Sequence, residues 1–130
     1  MKQLAGLIAA VGVAFATIPA TAAEWVLVDK TPDGSTAYID RASIRRAGQY
    51  TWFWLSLMAP KDFKGPNIGA VSLYISADCN SRQARLRQLT VYDTSQNIVF
   101  AESPGDQGPI DRVPSNAKAI NEALRQACSR

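Results

Sequence analysis

The chain has few groups fit for covalent chemistry. It contains no histidine. That removes Ser-His-Asp and Cys-His nucleophile pairs and any His-bearing zinc site. Its two cysteines, Cys79 and Cys128, stand far apart, so there is no CxxC redox motif. Neither GxGxxG nor GxxxxGK[ST] occurs, so no glycine-rich phosphate cradle is expected. Asp and Glu are numerous enough to keep a carboxylate-pair hydrolase formally open. Nothing in their spacing singles out two, and solvated turn and surface acids account for them. The expectation is a protein without catalytic, cofactor-binding or metal-binding residues.

What remains is recognition chemistry. Arg82, Arg85 and Arg87 form a basic cluster with Asp78 just upstream. Arg85 and Arg87 share a strand face if no bulge intervenes. Such a cluster can meet an acidic partner, a glycan sulfate or a lipid headgroup. The plainer alternative is a solvated face that blunts edge pairing. Arg41, Arg45 and Arg46 form a second, looser group. Trp52, Phe53 and Trp54 concentrate aromatic surface. Exposed, they would be a carbohydrate or protein platform. Core packing is the preferred reading, with Trp52 and Trp54 on one face and Phe53 on the other. The partner-binding candidates are therefore Arg82, Arg85, Arg87, Trp52 and Trp54. Asp40, with Ser43 close behind, reads as a turn residue that binds backbone N–H groups. Lys61-Asp62-Phe63-Lys64 presents Phe63 to a partner or is an ordinary solvent loop.

The positions of these groups depend on the compartment. Lys2, the uncharged run from Leu4 to Ile18 and the small residues of Ala20-Thr21-Ala22 have the pattern of a cleaved secretory signal. A membrane anchor is the alternative, but the run is shorter than the roughly 20 residues a spanning helix needs, and Pro19 follows it. The signal peptide is placed at 1–22, and one domain at 23–130. No Cys sits at the cleavage site for bacterial lipid anchoring. The expected address is periplasmic or secreted, of Gram-negative type. The formal charge of +3 falls to +2 once Lys2 is lost. That mild excess does not argue for nucleic acid, although basic residues beside aromatics invite that reading. Both cysteines lie in the exported part, where an oxidising compartment favours one intramolecular bridge. Two free thiols or an intermolecular bridge are the alternatives.

The elements follow from periodicity. Residues 24–30, 36–40, 50–58, 70–79, 85–92 and 98–102 read as strands, separated by turn signals such as Thr31-Pro32-Asp33-Gly34-Ser35. Val71, Leu73, Ile75, Ala77 and Cys79 share one face of their strand, and Ser72, Tyr74, Ser76 and Asp78 share the other. Leu86 is out of phase with Leu89 and Val91, which predicts a bulge near Arg87. Asn97 is the residue expected to take the left-handed conformation in the turn that follows. Ser115 is the expected helix cap. Ala117, Ile120, Leu124 and Cys128 fall on one helical stripe. A Cys on the apolar face of a strand and a Cys on the apolar face of a helix can meet. The predicted fold class is α+β: about six antiparallel strands, with a C-terminal α-helix packed on one face and tied by a disulfide.

The ordered set Trp25, Tyr38-Ile39-Asp40, Ser43-Ile44, Gly48, Trp52 to Trp54, Asp78-Cys79, Arg85, Tyr92, Val99, Pro114-Ser115 and Cys128 resembles the surface-adhesin protein E family along nearly the whole mature chain. The resemblance implies a six-stranded antiparallel sheet and a C-terminal helix held to it by a Cys79–Cys128 disulfide. Asn97 stands where the family often has Gly, and Ile110 to Val113 lacks the family's aromatic. The resemblance suggests an exported, non-enzymatic protein binding an extracellular or envelope protein or glycan through its sheet. A periplasmic envelope-maintenance protein is the alternative. Neither nucleic acid nor a stable membrane anchor is expected. The oligomeric state stays open, a dimer included.

Overall fold

The computed structural model describes residues 22–60 and 65–129. The apolar N-terminal run and the Phe63 segment lie outside the described residues. Eight strands form one antiparallel sheet: β1 (Trp25–Lys30), β2 (Thr36–Asp40), β3 (Arg45–Ala47), β4 (Tyr50–Met58), β5 (Ala70–Asp78), β6 (Gln83–Tyr92), β7 (Ile98–Glu102) and β8 (Ile110–Arg112). The six longer strands run in the order β1-β2-β4-β5-β6-β7, while β3 pairs with β4 and β8 with β6. These six are the strands that periodicity predicts. The two additions are three-residue pieces recruited beside the long central strands.

Alternation decides which side chains go inside. Phe53 pairs with Ile75 and Leu55 with Leu73 across β4 and β5, and Ile39 of β2 lies against Leu55. Ile39, Phe53 and Leu55 are fully buried. The helix α1 (Lys118–Cys128) covers this aliphatic face, burying Ala123, Leu124 and Ala127 and packing Ala117, Ile120 and Cys128 at the margin. The alanines let the helix backbone approach the sheet closely, and it lies over β1, β2 and β4. Cys79, one residue past β5, is disulfide-bonded to Cys128 with a Cα–Cα distance of 5.8 Å. Arg46 donates to the Cys128 carbonyl at 2.8 Å, satisfying one of the unpaired acceptors at the helix end.

Two local expectations are corrected. Ser115 does not cap the helix, which starts at Lys118 after Ala117 with no side-chain cap. Instead Asn121 donates from Nδ2 to the carbonyls of Pro114 and Ala117, at 2.7 and 2.8 Å. The left-handed turn residue is Gln96, at φ 69°, because Asp93 Oδ1 accepts the N–H groups of both Ser95 and Asn97 and holds Asn97 in place. Ile110 to Arg112 form a strand, and buried Val113 follows them into the core. The bulge at Arg87 is present: Ile75 faces Leu86 while Tyr74 faces Gln88.

Candidate functional site

The face opposite the helix has a different composition. Its residues follow from the register. Tyr50, Trp52, Trp54, Ser56 and Met58 of β4 stand opposite Asp78, Ser76, Tyr74, Ser72 and Ala70 of β5. Tyr38 continues this face on β2, and Tyr92 continues it on β6. Trp25, on β1, also lies on this side, half exposed. All three tryptophans and all four tyrosines of the chain therefore lie on the helix-free face. The expectation that Trp52 and Trp54 pack in the core is corrected, since only Phe53 of that triplet enters it. The physical reason is parity: Thr51, Phe53 and Leu55 take the helix side, and their neighbours must point away.

The aromatics make two connected features. At one end, Trp54 stacks on Tyr74 with centroids 4.7 Å apart, and Trp52 meets the same ring at 5.8 Å. Two guanidinium groups lie over Trp52, that of Arg87 at 4.5 Å from the centroid and that of Arg45 at 5.3 Å. At the other end a groove of about 590 Å³ is lined by Trp25, Tyr38, Ser56, Met58, Tyr92 and Gln96. That size lies within the range of sites that hold small organic ligands.

Arg87 shares this face with Arg85 although the bulge intervenes, because the irregularity falls after Leu86 and displaces Gln88 and Leu89 instead. Arg87 donates from Nε to Ser76 Oγ at 2.9 Å, and its guanidinium pairs with the Asp106 carboxylate. Arg85 donates to the Asp106 carbonyl at 2.9 Å and lies 3.7 Å from the same carboxylate. Both arginines are recessed, with side chains 19% and 16% exposed, whereas Asp106 is 82% exposed on a short 3-10 turn, Gly105–Gln107. The hydrogen bond and charge of Arg87 hold the Asp106 carboxyl below the usual carboxylate range. Arg85 Nε and Trp52 Nε1 are buried without a hydrogen-bond partner.

The predicted basic cluster is thus divided. Arg82 takes a left-handed backbone conformation at φ 58°, which swings its guanidinium to Asn121 on the helix side. Arg85 and Arg87 stay on the aromatic face. The second basic group is divided too: Arg45 reaches Trp52, while Arg46 reaches the helix end. Asp40 is structural, as expected, for its carboxylate accepts the N–H groups of Glu24 and Ala42 at 2.7 and 3.1 Å. Sequence reasoning missed Arg45, Asp106 and the groove tyrosines as members of one face. The signal was available for Tyr74, which alternates out of phase with the apolar stripe of β5. Among the described residues, no group of three His, Cys, Asp or Glu side chains could hold a metal ion. No helix among them is long and apolar enough to cross a membrane.

The family model for surface-adhesin protein E matches residues 25–129. The chain belongs to the surface-adhesin protein E family. Comparison with the curated proteins and with the solved structures returned no match. The family match runs from the first residue of β1 to the residue after α1, so it spans the sheet, the helix and both cysteines. In this surface-adhesin E domain the helix leaves part of its own side uncovered. A hollow of about 490 Å³ between β5, β6 and β8 is lined by Leu73, Leu86, Val113, Pro114 and Ile120 among others. Arg85, Glu102, Asp111 and Arg112 also line it, but it carries none of the chain's tryptophans or tyrosines.

Proposed function

We propose that this surface-adhesin E domain is an exported, non-enzymatic binding protein, delivered to the periplasm or beyond by cleavage after Ala22. It engages an extracellular or envelope partner, protein or glycan, through the helix-free face of its sheet. The observation that carries this reading is the gathering of every Trp and Tyr with Arg45, Arg85 and Arg87 on one surface. A solvated face has no need of that composition, and aromatics with Arg are enriched where proteins bind others. Family membership supports the same direction.

The test is binding of the processed chain to an array of matrix proteins, envelope proteins and glycans. Trp54→Ala and the Arg85→Ala/Arg87→Ala pair are expected to weaken capture at micromolar concentration. Arg125→Ala, on the outer side of the helix, is expected to leave it unchanged. A blank array together with an envelope defect in a deletion strain would replace this reading with an envelope-maintenance role.

A further inference from the structure

We propose that the helix-free face is a docking site for a sulfated glycan, and that Asp106 occupies the sulfate position in the unbound protein. This rests on the face-binding reading above and names the class of partner. Arg85 and Arg87 converge on one point, and a single carboxylate from a short surface turn fills it. Two guanidiniums against one carboxylate leave positive charge unspent, and Arg45 adds a third cation over Trp52. Asp78 also lines the hollow beside them and reduces that excess to three guanidiniums against two carboxylates, but its oxygens are turned to the N–H groups of Asn80 and Ser81 and the Gln49 amide. A sulfate offers three charged oxygens to these donors, whereas the Asp106 carboxylate offers two and meets Arg85 more closely through the main-chain carbonyl. Arg87 is held by the Trp52 ring and by Ser76, so its fork is already oriented and binding costs little ordering.

The remainder of the face decides what carries the sulfate. Trp52 and Ser56, four residues apart on β4, span about 13 Å between the arginine cluster and the aromatic groove. A sugar ring packs its C–H face on aromatic rings and directs hydroxyls to groups such as Ser56, Gln96 and the tyrosine hydroxyls. An acidic peptide is less well served. β4 and β5 are inner strands whose backbone groups are used by both neighbours, so no strand can be added here. A flat anionic bilayer would not reach arginines this recessed.

The test uses the processed chain, titrated with a size-defined heparin oligosaccharide, with hyaluronan as a carboxylate-only chain and phosphatidylserine vesicles as controls. Asp106→Asn removes the competing charge at an exposed position. It is expected to tighten heparin binding roughly two- to fivefold. Arg87→Ala is expected to weaken it about tenfold. Arg125→Ala changes net charge equally on the opposite side and is expected to have no effect. Equal responses of Arg87→Ala and Arg125→Ala, no gain with Asp106→Asn, or equal binding of hyaluronan or vesicles would each overturn the proposal. If heparin fails while Trp54→Ala still abolishes capture of another array partner, the glycan assignment falls and the face-binding reading stands. If Trp54→Ala alters capture of nothing, both fall.

Discussion

The guanidinium of Arg87 lies across the indole of Trp52, 4.5 Å from its centroid. A one-residue bulge in β6 lies at this contact. The extra residue lets Arg87 and Gln88 both face outward while Leu86 and Leu89 both keep to the helix side. Stacking of this kind orients a cation without neutralising it. Trp52 thus serves as the seat of the arginine more than as a contact surface of its own.

Removal of that seat separates binding from folding. Trp52→Ala should cost about 1–2 kcal/mol of stability, less than a fully buried aromatic would, because the ring is only half-buried. Partner capture should fall by more than that loss explains, since Arg87 becomes mobile. Urea denaturation alongside array binding measures both. Unchanged capture by a folded Trp52→Ala protein contradicts the assignment.

Asp40 anchors the start of β1 to the end of β2. Asp40→Ala leaves the N–H groups of Glu24 and Ala42 without their acceptor in a largely buried setting. The expected cost is about 1–3 kcal/mol, seen as a lowered denaturation midpoint. Binding by the remaining folded protein should be intact.

The disulfide joins residues 49 apart in sequence. In the chain-entropy description its loss removes about 4 kcal/mol at 25 °C. The Cys79→Ala/Cys128→Ala protein should unfold at clearly lower urea, and the oxidised protein should show no titratable thiol. A stability equal to that of the parent would mean that the helix is held by packing alone.

Gly69 marks a close approach between the loop before β5 and the β6–β7 turn. A Cβ there would lie 2.7 Å from the Asp93 carbonyl oxygen and 3.1 Å from the Thr94 Cα. Both obstacles are backbone, so no rotamer change relieves them. Gly69→Ala should destabilise by about 1–3 kcal/mol, measured by thermal unfolding.

The pH profile should have one acid limb. Asp33, Asp78, Asp93, Asp106 and Glu122 all hold their carboxyls below the usual range, chiefly through hydrogen bonds from Thr31, Ser81, Asn97, Arg87 and Arg125 respectively. The folded state therefore keeps these charges where the unfolded chain takes up protons. Their stabilisation is present above about pH 4 and is lost as pH falls through the lowered folded values. With no histidine in the chain, Tm should be nearly flat between about pH 5 and 8. A sharp change within that window would contradict this.

The strands and the helix stripe were legible because each rests on a period that one segment carries by itself, and the sulfur pairing because the chain has two cysteines, each on an apolar stripe. Leu86 being out of phase with Leu89 disclosed the bulge for the first of these reasons. Arg82 was misgrouped because its direction depends on a left-handed backbone angle in a turn, which residue type alone does not fix. Ser115 looked like a cap, but Asn121 ties the preceding carbonyls from within the helix. The tryptophans were ambiguous because alternation separates two faces without saying which one the helix covers. The small, flat stripe of Ala123 and Ala127 matches aliphatic branches better than indoles, and only assembly reveals that match. Asp106 comes from a distant loop, so no local pattern ties it to Arg87.

The segregation of indoles and phenols has a spectroscopic consequence. Every near-ultraviolet chromophore of this type stands on the side away from the helix. Intrinsic emission therefore watches a single surface, and a bound molecule should perturb it without any attached dye. Detachment of the helix should change that emission little while ellipticity at 222 nm drops. The protein thus carries its own reporter for occupancy, optically separate from the bolt that holds its layers together.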